Sequence, residues 1–194
     1  DRLRSRGLGD VYKRQVFAIA IERFLFYRAA DSGEKFADDY CALLKSNDLQ
    51  AAADLAQTTS GETSALVFGA VQNAHTQDDL TDYLENGLAF FTAQLKNKLD
   101  YLSIIVTLSP LLGLLGTIVG MIGAFSIFNI QAGAPMAITG GIGEALIATA
   151  TGLCVAIMAL CCHSYFAHRM DGILTTAERC AAALAQANRR AGVK

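Results

Sequence analysis

From Tyr101 to His168 the chain contains no Lys, no Arg and no Asp, and Glu144 is the one acid there. A run of that length without charge excludes an ordinary soluble exterior. The overall composition agrees, with 53% hydrophobic residues against 18% charged. Basic runs are also missing: the net charge is −2, and no stretch is suited to nucleic acid. The five cysteines, Cys41, Cys154, Cys161, Cys162 and Cys180, have neither metal-ligand spacing nor a disulfide framework. Cys161, Cys162, His163 and His168 do cluster, but tandem donors on one helix point in different directions, so no metal and no cofactor is expected. No Ser/His/Asp or Cys/His set can be placed at one depth, which argues against an enzyme.

What the chain has instead is apolar length. About 20 predominantly apolar residues span the hydrocarbon of a bilayer. Two segments reach that length, 101–128 and 137–166, joined by the uncharged connection 129–136 in which Gly133 and Pro135 act as breakers. The expected fold is an all-α membrane protein built on a transmembrane hairpin; a soluble protein with two buried core helices is the alternative. Residues 16–28, VFAIAIERFLFYR, read as the inner end of an earlier, truncated spanning helix, with Glu22, Arg23 and Arg28 at the water boundary. Residues 1–15 carry five basic residues and no clear periodicity, and are expected to be an artefactual or disordered junction. They are not a secretory signal, because the apolar run Val16–Ile21 is too short and no small-residue cleavage site follows.

Residues 31–100 hold twelve Asp/Glu against four Lys, the balance of a solvated block. A cytoplasmic helical domain is expected over 29–100. One helix should begin near Asp48 after the capping-type Ser46–Asn47, and a second should run Glu62–Asn73 after Gly61. From Asp78 onward, Leu80, Leu84, Leu88, Phe91, Leu95, Leu99 and Leu102 recur at steps of three or four. No Gly or Pro pair stops the helix before the membrane, so it should pass unbroken into the span. Beyond the second long apolar segment, Phe166, Met170, Ile173, Ala177, Cys180, Leu184 and Ala187 repeat the spacing as a C-terminal helix over 167–194. Arg23, Arg28, Lys96, Lys98, Arg169, Arg179, Arg189 and Arg190 flank the spans on one side and the 129–136 connection carries no charge, which puts that connection outside the cytoplasm.

Within the hairpin, Gly113, Gly116, Gly120 and Gly123 mark the first segment, and Ala148, Gly152 and Ala156 the second. Small residues let spanning helices approach closely, and packing alone explains such a pattern. Pro110 should loosen its helix and free a carbonyl. Counted from the outer connection, Thr117 and Thr149 each lie about ten residues inside, roughly 15 Å at a 1.5 Å rise. The two hydroxyls share one level, and Glu144 lies about five residues nearer the outer face. Either Thr alone could simply bond its own helix carbonyl. Two at matched depth with one acid would suit a polar path. Glu144 itself has two readings: a protonated acid bonded to a carbonyl or a neighbouring helix, or a group facing a wet lumen that exchanges a proton or attracts a cation.

The segments SPLLGLLGTIVGMIGAF and GIGEALIATATGLCVAI resemble the two signature helices of the MotA/TolQ/ExbB proton channel family, closest to the ExbB/TolQ branch. They follow that branch's pattern of (A/S)P-x-x-GLLGT-x-x-G and GI-x-EAL-x-AT-x-x-GL across roughly 100–170. The resemblance implies three transmembrane helices with long helical cytoplasmic extensions, in a multi-pass protein of the bacterial inner membrane. It implies a homo-oligomer, a pentamer, around a pore that houses an ExbD/TolR-like single-span partner carrying an essential Asp. A TonB/TolA-like periplasm-spanning protein would complete the assembly, in contact with membrane lipid. By position, Thr117 and Thr149 match the family's pore-lining threonines, Glu144 the acid of its third helix, and Pro110 the proline opening the signature helix. The implied function is the pore-forming subunit of an energiser that uses proton-motive force for transport or envelope work. A flagellar-type stator subunit and a non-conducting helical scaffold are the alternatives.

Overall fold

A computed structural model describes residues 2–130 and 135–192, with side chains described over 11–126 and 139–191. The described residues form seven helices and no strand: α1 Arg2–Ala30, α2 Glu34–Lys45, α3 Leu49–Thr58, α4 Glu62–Asn73, α5 Gln77–Lys96, α6 Leu99–Ile130 and α7 Pro135–Gly192. They divide into two compact units. One comprises residues 1–22 and 98–165, the other residues 23–97 and 166–194.

The first unit contains α6 and the first half of α7. Among the described residues, the stretches Gln77–Ser126 and Thr139–Ala191 are long and apolar enough to cross a membrane. Only 22% of each apolar window is buried within the chain, which is not the environment of a soluble core helix. Leu111, Leu114, Leu115, Ile118, Val119 and Ile122 all point outward from α6. That helix stays continuous through Pro110. α7 opens at Pro135, where a missing N–H costs a helix nothing. Positions 131–134 of the expected connection lie outside the described residues. α1 begins at Arg2 and runs to Ala30, with no proline to stop it.

The second unit is built around a core of Phe36, Tyr40, Leu44, Val67, Leu80, Leu84 and Leu184, into which α3 and α7 place small residues: Ala52, Ala56, Cys180 and Ala187. α4 starts at the residue after Gly61, as the sequence indicates. The start of α3 is shifted by one. Asp48 is its N-cap, accepting from the Ala51 N–H at 3.0 Å, while Ser46 closes α2. The turn between them carries Asn47 at φ 63°, a conformation asparagine tolerates.

The unbroken helix expected from Asp78 into the span is not what forms. α5 ends at Lys96 and α6 starts at Leu99, with Lys98 at φ 66° between them. The reason is tertiary. The Arg23 guanidinium, 4% exposed, donates to the carbonyl oxygens of Asn97 at 2.8 Å and Gln94 at 3.3 Å. The Tyr27 hydroxyl donates to the Leu95 carbonyl at 2.7 Å. These carbonyls end a helix and would otherwise lack donors, and a cation there also meets the negative end of the helix dipole. The Arg23 carbon lies 4.5 Å from the Phe26 ring centre, which holds the guanidinium in place.

Candidate functional site

The α6–α7 hairpin is held by small residues in register. A Cβ on Gly116 would come within 2.9 Å of the Ala148 Cβ, and one on Gly120 within 2.8 Å of the Ala145 Cβ. The tightest approach is at Gly152, where an added Cβ would stand 2.5 Å from the Ser109 carbonyl oxygen and 3.1 Å from the Gly113 Cα. A Cβ on Gly113 would in turn meet the Thr149 backbone, 3.1 Å from its Cα. Glycine at 113 and 152 therefore lets the two backbones touch, and the polar groups meet where they do.

At that level the Thr117 and Thr149 hydroxyls hydrogen-bond each other. The Thr149 Oγ1 also lies 3.0 Å from the Gly113 carbonyl oxygen, and the Thr117 Oγ1 lies 3.3 Å from the same oxygen and 3.4 Å from the Ala145 carbonyl oxygen. Two hydroxyl protons cannot serve all of these contacts together. Thr149 donating to Gly113 while accepting from Thr117 satisfies the shortest ones and leaves oxygen lone pairs unused. Both threonines are half-buried, so the cluster has one closed side and one side open to whatever packs on the hairpin.

The matched depth counted along the sequence thus becomes a direct contact between the two alcohols. Glu144 does not join them. It is exposed, and it precedes Thr149 by five residues, a rotation of roughly 140° around the helix. Ala145, Ala148 and Gly152 carry the α6-facing side, which leaves the carboxylate on the flank. Within one chain the acid and the alcohols lie on different faces of α7.

Ser109 is a residue the sequence reading passed over. It is 3% exposed and its Oγ has no partner among the described residues. Its spacing from Gly113 and Thr117, four residues each, was the available signal: with Pro110 beside it, the three form one stripe on α6.

Comparison with known proteins places these features in company. The model of the MotA/TolQ/ExbB proton channel family matches residues 51–179. An ExbB-like biopolymer transport protein of Synechocystis is 33% identical over 148 residues, covering 74% of this chain and 70% of that protein. The biopolymer transport protein ExbB of Neisseria gonorrhoeae is 39% identical over 103 residues, half of this chain (50%) and 46% of its own length. The Tol-Pal system protein TolQ of Haemophilus influenzae is 37% identical over 83 residues, 41% of this chain and 35% of its own. The chain thus spans less than half the length of the ExbB and TolQ proteins that it matches.

Proposed function

This chain belongs to the MotA/TolQ/ExbB proton channel family, in its ExbB/TolQ branch, and from that premise we propose that it is the channel-forming subunit of an inner-membrane energiser driven by proton-motive force. In this reading several copies surround an ExbD/TolR-like single-span partner. The second and third spans, α6 and α7, present the Thr117–Thr149 pair to a hydrated lumen, and residues 16–28 of α1 belong to the first span. Protons pass by way of the threonine oxygens to the partner's carboxylate. Glu144, on the flank of α7, meets the lumen or a neighbouring copy rather than the alcohols of its own chain. The work done is biopolymer transport or Tol-Pal-type envelope maintenance, through a TonB/TolA-like protein. Each proton crossing 100 mV releases about 2.3 kcal/mol, so a few per cycle supply a useful mechanical stroke.

The observation that carries this reading is the hydroxyl pair. Two alcohols joined at one level across two apolar helices, with one side open, are costly furniture for a hairpin that Gly and Ala alone could close. The close glycine packing by itself favours a scaffold that conducts nothing. Proton flux decides between them. In liposomes holding the co-purified complex with its single-span partner, an imposed pH gradient should collapse faster than in empty vesicles. A bilayer that stays tight around fully assembled complex would favour the scaffold.

A further inference from the structure

Outside the hairpin, the core of the second unit holds two thiols that the proposed channel does not use. Cys41 on α2 is half-buried and packs against the same core in which Cys180 on α7 is fully buried. The two helices are pinned together at this level, where a nitrogen of Arg179, the residue before Cys180, meets the carboxylate of Asp38, one turn before Cys41, at 2.6 Å. Cys41 is reachable from outside: it lines an open cleft with Lys45, Arg179, Ala183, Arg189 and Arg190. Tyr40, next to Cys41 in the chain and wholly buried in the same core, has a hydroxyl with no partner among the described residues.

We propose that Cys41 and Cys180 form a peroxide-sensitive pair, with Cys41 as the thiol that is oxidised and Cys180 as the thiol that resolves it into a disulfide joining α2 to α7. The division of roles follows from access and environment. A reactive cysteine needs solvent on one side and positive charge nearby, and redox-sensing cysteines are often poised next to a second thiol. Cys41 has the cleft and its cationic rim. Cys180 lacks the access, and burial pushes its thiol up to about 12, so it waits as a neutral S–H. In the first step the Cys41 sulfur takes one oxygen from hydrogen peroxide, giving sulfenic acid and releasing water. In the second, the Cys180 sulfur displaces the sulfenic hydroxyl, the S–S bond forms, and the Cys180 proton leaves with that hydroxyl as a second water. Two electrons pass from the two thiols to the peroxide, and a dithiol reductant returns them. The pair belongs to one compact unit and owes nothing to the channel reading, so it stands or falls separately.

The test uses the full chain in membranes, treated with dilute hydrogen peroxide, alkylated and digested. The expected product is a peptide linking Cys41 to Cys180, from protein of monomer mobility, removed by dithiothreitol, with Cys154, Cys161 and Cys162 still alkylated. In Cys180→Ala the linkage should vanish and Cys41 should be trapped by a sulfenic-acid reagent. Because Cys180 is a core residue, the wild-type digest alone is decisive. Absence of the linked peptide when Cys41 is oxidised, or no oxidation of Cys41 at peroxide levels that oxidise the exposed Cys154 and Cys161, would overturn the proposal.

Discussion

The Thr117 and Thr149 hydroxyls hydrogen-bond each other across the α6–α7 hairpin, directly above the point where Gly113 and Gly152 bring the two backbones into contact. The first relationship depends on the second. Side chains larger than hydrogen at 113 or 152 would part the helices at the level where the alcohols meet. The glycines thus place the polar pair as well as close the seam, and the two roles can be separated by substitution.

Thr149→Val keeps the shape and removes the oxygen. The stability cost should be modest, about 1 kcal/mol for one lost hydrogen bond. Membrane insertion and assembly should persist, while partner-dependent proton flux falls by about tenfold or more, equivalent to roughly 1.4 kcal/mol on the barrier. Thr149→Ser, which restores the hydroxyl, should recover most of the flux. Equal flux in the Val and Ser forms would remove the hydroxyl from the path.

Gly152→Ala places a methyl group where the Ser109 carbonyl oxygen stands 2.5 Å away, and that neighbour is backbone. Overpacking of this kind costs about 1–3 kcal/mol. The thermal midpoint of the detergent-solubilised complex should drop. Gly123→Ala, where an added Cβ meets nothing within 4 Å, should leave it unchanged and serves as the control.

Arg23→Met removes the donors that close α5. The Asn97 and Gln94 carbonyls lose charged hydrogen bonds, each worth about 1.5–3 kcal/mol. Amide exchange should quicken in the last turn of α5 and at Leu99–Tyr101, with little change in α3. Arg23→Lys should recover part of the protection, since an ammonium can still reach one carbonyl. Unchanged exchange would mean that the break at Asn97–Lys98 needs no help from α1.

Alkaline pH should weaken the second unit. Burial, the largest cause for both groups, raises the Cys180 thiol from 9.0 to about 12 and raises Tyr40 well above 10.0. Groups raised in the folded state contribute their full stability below the unfolded values and lose it as pH climbs toward the folded ones. Stability should therefore be flat to about pH 9 on this account and decline above it. Unfolding midpoints followed by helical circular dichroism check this. Cys180→Ala should flatten the first part of the decline, and a midpoint that stays constant through pH 11 would contradict the assignment.

Much of the hairpin was legible because its physics is local. Apolar length gave the two helices of the hairpin, the glycine stripes gave the seam, and counting residues from the 129–136 connection brought Thr117 and Thr149 to one level. Glu144 was less legible, because depth says nothing of direction; five residues from Thr149 turn it away from the alcohols. The break between α5 and α6 was hidden by a leucine stripe that continues through it. What stops the helix there is Arg23 and Tyr27, more than sixty residues away in the chain, and no local pattern reports them. The shifted cap at Asp48 was a smaller miss: three consecutive residues, Ser46, Asn47 and Asp48, can all cap, and the one whose oxygen reaches the Ala51 N–H is chosen by the turn at Asn47.

The central claim is that the open side of the threonine pair faces water once copies and partner assemble. Thiol accessibility measures this directly. In a variant with its native cysteines replaced by Ala, Thr149→Cys in the assembled complex should react with a membrane-impermeant cationic thiol reagent, while Leu153→Cys, one turn along the same helix and outward-facing, should stay unlabelled. A Cys at 149 as inert as one at 153 would mean that the alcohols lie in a dry seam, and the channel reading would fail.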